Sequence, residues 1–421
     1  MTARAANSTA ARGTRRSAVR DAGDIGKRRS REGGQTTVAL GGASVYKALI
    51  HVLGVIAMAL RDRLELYRQL EDHRKRPLIV YVTSPRPGAE GMMGGDVVPE
   101  FLDQLGAVPP VHKDVDLLVV SMGGDPTVAW RVMTLLRERF ETIAMLVPQA
   151  AFSAATLIAL GADVIVMHPH GNLGPTDPQI RTERKDPKTG KSEGVQFGAE
   201  DVSGLLQMAR EDVGLTDQEH LRVIFENLCQ EVGHVAIGFA GRAVGLSMSL
   251  GEKLLRMHMD GPEEERKIHL IVEALYKKFF VHGYPIGRKE AKGIGLNVAE
   301  PEPRTEELMW RIWQDIEADM QAREPFHPFR EIENSPAGPL VFAPVPQANV
   351  PAGLQVNIQI PVVQVPPVPF SNIHGVLESP RLASHYTVTG KILAVRTPDL
   401  QIKVNVVATT QGWNRVAVPA V

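Results

Sequence analysis

Four short apolar runs lie between residues 78 and 168: LIVYVTS, DLLVVS, TIAMLV and DVIVMH. Each of the first three leads through a turn into a helix-patterned stretch, around Val97 to Leu105, in PTVAWRVMTLLRERF and in AATLIALGA. Runs that are apolar throughout, rather than alternating, suit strands covered on both faces. Such strands interleaved with helices predict parallel βαβ units in an α/β fold.

The rest of the chain organises around that segment. Residues 1–40 carry eight arginines among Ala, Gly, Ser and Thr and predict a disordered basic arm. From Val45 to Arg76 the pattern is helical, with Leu64, Leu66, Tyr67 and Leu70 on one face. Pro77 ends it. A charged, loop-like stretch is expected over 181–198, and a mostly helical region from Ala199 to Phe280. Residues 331–375 are rich in Pro and Val with almost no charge, which predicts an extended linker. The alternation in HYTVTGKILAVR and LQIKVNVVATT predicts two strands, a β hairpin module or an oligomerisation strand, within 376–421. The expected division is therefore an arm (1–40), a main domain (41–330), a linker (331–375) and a small β module (376–421).

Bulk properties narrow the class. The one cysteine, Cys229, excludes an internal disulfide and suits a cytoplasmic protein. A net charge of −1 gives no whole-chain argument for nucleic acid; only the basic arm could touch it. The apolar stretch Leu49 to Leu60 is about a dozen residues, against roughly 20 needed to span a bilayer. It reads as a soluble helix with a buried face, with membrane-surface association of 45–76 as the alternative. No Walker-type phosphate loop is present, and no cofactor is implied.

Two strand-to-helix turns carry chemistry. In SMGGD, Ser121 to Asp125, paired glycines let backbone N–H groups approach a ligand, and the following helix N-terminus adds partial positive charge. Together these suit an oxyanion hole; the plain reading is a tight turn. In QAAFSAAT, Gln149 to Thr156, Ser153 sits between strand and helix, flanked by small residues. That exposes a hydroxyl at the carboxyl edge of the sheet, where α/β sites lie. The plain reading is an N-cap serine.

Taken in order, SMGGD, AFSAATLIALGADVIVMHPHGNLGPTDPQI, VGHVAIGFAGRA and VHGYPIGRKEAKGIGL resemble the serine dehydrogenase proteinase family of Clp-fold proteinases, within the ClpP/crotonase superfamily. The likeness spans roughly 60–300. It implies a fold of repeated ββα units with a helical extension. It implies Ser153 as nucleophile, the amides of Gly124 and Ala154 as oxyanion donors, and the order Ser, Asp, His with Asp177 and His282. No histidine stands at Asp177, where the Clp pattern reaches its histidine region. Physically, a histidine near neutral pKa takes the serine proton and a carboxylate orients it.

His234, in GHVAIGFAG, is the alternative base, and Lys253 would give a Ser–Lys dyad. His168 and His170 in MHPHG lack a third ligand at defined spacing, so no metal site is expected. The function expected is a serine peptidase acting on peptide or protein substrate through an acyl-enzyme at Ser153. A catalytically inactive scaffold on the same fold is the alternative, and a crotonase-like acyl-CoA enzyme is a third reading. The resemblance also implies a homo-oligomer.

Overall fold

Residues 60–74 form the first helix, α1, and bury Leu60, Leu64, Tyr67 and Leu70 at three- and four-residue spacing. Pro77 cannot continue a helix, and β1 (Leu78–Thr83) begins beside it. A 3-10 turn at Gly95–Val97 leads into α2 (Val98–Ala107), then β2 (Asp114–Val120), α3 (Pro126–Arg139) and β3 (Thr142–Val147). The short β4 (Ala150–Ala151) precedes α4 (Ala154–Leu160), β5 (Val164–Met167) and β6 (Asn172–Leu173). This computed structural model describes residues 60–185, 189–344 and 360–418. The expected basic arm, and the apolar segment from Leu49 as far as residue 59, lie outside the described residues. Among those described, no helix is long and apolar enough to cross a membrane.

A hairpin of β7 (Gln179–Lys185) and β8 (Ser192–Gly198) follows, then α5 (Ala199–Glu211), α6 (Gln218–Val232), α7 (His234–Leu255) and α8 (Pro262–Lys277). Next come α9 (Arg288–Gly293), β9 (Val298–Ala299), α10 (Pro303–Asp319), α11 (Pro328–Glu333) and α12 (Gly338–Phe342). The chain closes with β10 (Val363–Gln364), β11 (Val368–Glu378), β12 (Ala383–Arg396) and β13 (Ile402–Val416).

The main sheet has the order β10-β12-β11-β1-β2-β3-β5-β9, with β13 on the other side of β12. Strands β1, β2, β3, β5 and β9 are parallel, as the apolar runs predict, and β11 joins β1 antiparallel. Alternate residues of each central strand face opposite ways. Ile79, Tyr81, Leu117, Val119, Ile143 and Met145 enter one core with α3, α4 and α8. Leu78, Val80, Val82, Leu118, Val120 and Leu146 enter a second core with α1 and α10. The sheet is thus a mixed α/β layer covered on both faces, in keeping with a ClpP/crotonase-like fold with a helical extension.

Two expectations need correction. Residues 181–198, expected as a loop, form most of the β7–β8 hairpin, paired from Gln179↔Gly198 to Lys185↔Ser192. Its residues are mostly exposed, so no apolar alternation marks it in sequence. The C-terminal stretch is not a separate β module behind a linker. Glu378, Leu377, Val376 and Gly375 of β11 pair with Val80 to Thr83 of β1, so β11–β13 extend the central sheet. Of the expected linker, 345–359 lies outside the described residues, and its ends carry α11, α12, β10 and most of β11.

The junction between β11 and the helices is ionic. Arg63 of α1, fully buried, makes two hydrogen bonds of 2.9 Å to the Glu378 carboxylate, and Tyr67 Oη donates to it at 2.5 Å. His385 Nε2 lies 2.5 Å from the same carboxylate. A further guanidinium nitrogen of Arg63 reaches Asp315 at 2.5 Å and Asp319 at 2.7 Å on α10. Burial alone would raise the Glu378 carboxyl; the Arg63 charge and the His385 hydrogen bond outweigh it and hold it far below the usual carboxylate range.

Candidate active site

Ser153 is the second of the two residues between β4 and α4, and its backbone is φ 54°, ψ −118°. Few non-glycine residues adopt a positive φ, and this one costs on the order of 1–3 kcal/mol, held by the surrounding structure. The clamp is visible. Ser121 N donates to Ala150 O and Phe152 N to Ser121 O, both at 2.9 Å, which locks the turn to the end of β2. On the far side, Thr156 Oγ1 lies 2.7 Å from Ala151 O and 2.8 Å from Gly174 O, and accepts from Gly174 N at 3.1 Å.

The plain reading of Ser153 as a helix cap is not what the geometry shows. Its side chain makes no capping hydrogen bond, and its φ is not that of an ordinary N-cap in the β region. The hydroxyl is left for other chemistry. A serine on a strained strand-to-helix turn, presented at the carboxyl edge of a sheet, is the geometry of a nucleophile elbow.

The glycine turn packs directly on this serine. Gly123 has φ 105°, and a side chain there would meet Ser153 Cβ at 2.7 Å and Ala154 N at 3.2 Å. Gly124 has φ 150°, and a side chain there would strike Met93 O at 2.3 Å. Both positions therefore require glycine. Met93 N donates to Gly123 O at 2.8 Å and Asp125 N to Met93 O at 2.9 Å, so the turn is held as an extra bridge. From within, Ser121 Oγ accepts from Gly123 N at 3.1 Å and from Thr83 Oγ1 at 2.8 Å. Among the described hydrogen bonds, none uses the N–H of Gly124 or of Ala154. Two unclaimed donors flanking a strained serine can bind a developing oxyanion.

Asp177 and His282 meet, although 105 residues separate them in sequence. His282 Nδ1 lies 2.9 Å from Asp177 Oδ1, with the histidine 31% and the aspartate 13% exposed. Gln179 Nε2 donates to the other oxygen of Asp177 at 2.8 Å. A short ladder links the segments that carry the pair and the serine, and among the described hydrogen bonds none joins His282 to Ser153. β4 pairs with β6 through Ala150↔Asn172 and Ala151↔Leu173, and Leu173 bridges Ile286 with mutual hydrogen bonds of 3.0 and 2.9 Å. Ser153 is two residues past β4, Asp177 four past β6, and His282 four before Ile286. Sequence reasoning missed the supporting polar groups Thr83, Ser121, Thr156 and Gln179. Only Gln179 carried a signal, as the polar residue two positions after Asp177.

The other candidates lie elsewhere. Ser247 Oγ donates to Thr176 O at 2.6 Å, which docks the middle of α7 beside Asp177. His234 is thirteen residues earlier on that helix, about 20 Å at 1.5 Å per residue, and lines a groove with Thr182 and Arg184. The structure therefore does not bring His234, expected as the alternative base, to Asp177. Lys253 faces the Trp130 ring at 5.9 Å, a cation–π contact that occupies it. His168 is buried and stacks on Trp310 at 4.9 Å, and burial lowers its pKa. Among the described residues no cluster of three or more His, Cys, Asp or Glu could hold a metal.

Known proteins can now be set beside this geometry. Residues 57–188 match the ClpP-like SDH-type serine proteinase family. That span holds the glycine turn, Ser153 and Asp177; His282 lies beyond it. An uncharacterized protein of Methanocaldococcus jannaschii is 26% identical over 244 residues, 56% of this chain and 73% of that one. A membrane-bound stomatin-specific protease structure covers 53% of this chain and 81% of its own at 14% identity and a TM-score of 0.31. An enoyl-CoA isomerase structure from M. smegmatis covers 59% and 88% at 18% identity and a TM-score of 0.27.

Proposed function

We propose that this ClpP-like chain is a serine peptidase that cleaves peptide bonds through an acyl-enzyme at Ser153. The observation that carries the reading is the combination of a strained serine, free of any capping role, with an Asp177–His282 pair whose segments are tied to the serine's turn through β4, β6 and Ile286. In the proposed reaction His282 Nε2 takes the hydroxyl proton as Ser153 Oγ attacks the scissile carbonyl. The carbonyl oxygen becomes an oxyanion and receives the N–H groups of Gly124 and Ala154. His282 then gives the proton to the leaving amine, the C–N bond breaks, and an ester to Ser153 remains. Water, deprotonated by the same histidine, attacks that ester; the bond to Ser153 Oγ breaks, Oγ takes the proton back from His282, and the acid is released. Asp177 holds Nδ1 protonated throughout, because a carboxylate only accepts.

The alternative is a scaffold that retains the fold without the reaction. A fluorophosphonate probe separates the two. Labelling at Ser153 in the wild type, lost in Ser153→Ala, supports the peptidase; a chain that is not labelled, or an alanine variant labelled equally, leaves the scaffold. The crotonase-like reading has less support, since it gives the Asp177–His282 pair no role. A panel of CoA thioesters that raised the melting temperature would restore it.

A further inference from the structure

A cavity of about 330 Å³ opens where Met92 leads into Met93, the residue that bridges the glycine turn, and its outer wall comes from the C-terminal strands. Thr83, Gly91 and Met92 form the inner side, and His374, Tyr386 and Trp413 the outer. The Tyr386 and Trp413 rings stand 5.6 Å apart at 77°, and those of His374 and Tyr386 6.4 Å apart at 72°. The three rings give the open cavity an aromatic wall, and the exposed face of an aromatic ring carries negative π density. Two acidic residues, Glu90 and Asp96, also line it, with Val388 and Gln411, and no lysine or arginine does.

The cavity is built rather than left over. β11 carries a bulge between Ile373 and Gly375, so His374 has no partner in the β11–β12 register. A bulge of this kind re-aims a side chain. His374 Nδ1 is fixed by donating to Glu90 O at 2.8 Å. Trp413 Nε1 donates to Asp96 Oδ2 at 3.0 Å, which holds the indole and the carboxylate together. Gly375 lies against the rings; a side chain there would meet Trp413 Cη2 at 3.2 Å.

Aromatic faces with nearby carboxylates bind organic cations. We propose that this cavity takes the lysine or arginine side chain of a bound peptide. Its place relative to Ser153 fits a substrate residue. Gly91 and Met92 run into Met93, which bridges Gly124, and Thr83 is hydrogen-bonded to Ser121. The cavity sits at the end of β1, two strands from β3, whose end leads to Ser153. At about 4.8 Å per strand that is roughly 10 Å, or about three residues of extended peptide. The inference rests on the peptidase reading for what the cation belongs to, and on its own geometry for the binding.

The test separates the two. Full-length Ser153→Ala protein is titrated with acetyl-Ala-Xaa-Ala-Ala-Ala-amide, where Xaa is lysine, arginine or norleucine, and tryptophan fluorescence is followed. Trp413→Phe identifies the responding ring. The basic peptides are expected to bind at least about tenfold tighter than the norleucine peptide, and Glu90→Gln with Asp96→Asn to bring that ratio below about twofold. Equal binding of all three peptides, or a preference unchanged in the double variant with an unaltered melting curve, overturns the proposal. Failure of the wild type to react with a fluorophosphonate would instead count against the peptidase reading alone, since the titration needs no nucleophile.

Discussion

Replacing Asp177 by asparagine removes one charge and almost no volume, so it isolates the orienting role proposed for that residue. In the native pair Asp177 Oδ1 faces His282 Nδ1 at 2.9 Å, and Oδ2 receives Gln179 Nε2 at 2.8 Å. While Gln179 donates, an asparagine must place its oxygen toward Gln179 and its NH2 toward His282. Nδ1 then has to accept, the ring proton moves to Nε2, and the nitrogen that should take the Ser153 proton is already filled. Loss of the correct tautomer in a serine–histidine–aspartate protease costs about 10⁴ in kcat. That is roughly 5.4 kcal/mol at 1.36 kcal/mol per decade. Because His282 is 31% exposed here, water can replace part of the aspartate's orienting hydrogen bond. The expected loss is therefore about 10²–10⁴-fold. The assay is the second-order rate of fluorophosphonate labelling at Ser153 near neutral pH, with thermal melts to show the variant is folded. A folded Asp177→Asn protein labelled within about threefold of wild type would falsify the assignment of Asp177 as the orienting carboxylate.

Three further outcomes follow from the same geometry. Ser153→Gly should abolish labelling yet raise stability by about 1 kcal/mol, since relief of a strain of roughly 1–3 kcal/mol exceeds the added chain entropy of glycine; a lower denaturation midpoint would count against the strain. Gly124→Ala should lose most labelling and on the order of 1–3 kcal/mol of stability, because its Cβ would overlap Met93 O at 2.3 Å with φ at 150°; wild-type labelling would show that the turn is not the oxyanion site. Glu378→Gln should cost about 1–3 kcal/mol in denaturant unfolding at neutral pH, because it strips one of the charges opposite buried Arg63, which keeps Asp315 and Asp319. The Glu378 carboxyl is held below its unfolded value, so its contribution is fully present above about pH 4.3, the ordinary glutamate pKa, and is lost as pH falls through the folded value. Wild-type stability should therefore drop more steeply than that of Glu378→Gln below that point, and parallel curves would refute the linkage.

The central part of this fold is legible in the chain because it is local and strongly patterned. The runs LIVYVTS, DLLVVS, TIAMLV and DVIVMH read as strands covered on both faces, and their alternation with helices predicted the parallel sheet that forms. The two turns that matter were also readable: Gly123, Gly124 and Ser153 sit where a strand end meets a helix start, and that position follows from the strand boundaries. By contrast, the hairpin at Gln179–Gly198 is mostly solvated, so no hydrophobic period announces it.

What only the tertiary structure decided is everything that depends on distant segments meeting. Ser153 carried the same letters whether it capped α4 or stood free at φ 54°; the clamp from Ser121 and Ala150 settles the backbone. His282 was preferred over His234 only through the family resemblance; nothing in the residues around either histidine decided between them. The Leu173–Ile286 bridge sets one beside Asp177, and the rigid length of α7 carries the other about 20 Å away. The Pro- and Val-rich C-terminal region read as linker and module because strand pairing between β1 and β11 leaves no mark in either strand alone. Backbone donors and acceptors are the same for every residue but proline; which edge they join is fixed only when the whole sheet assembles.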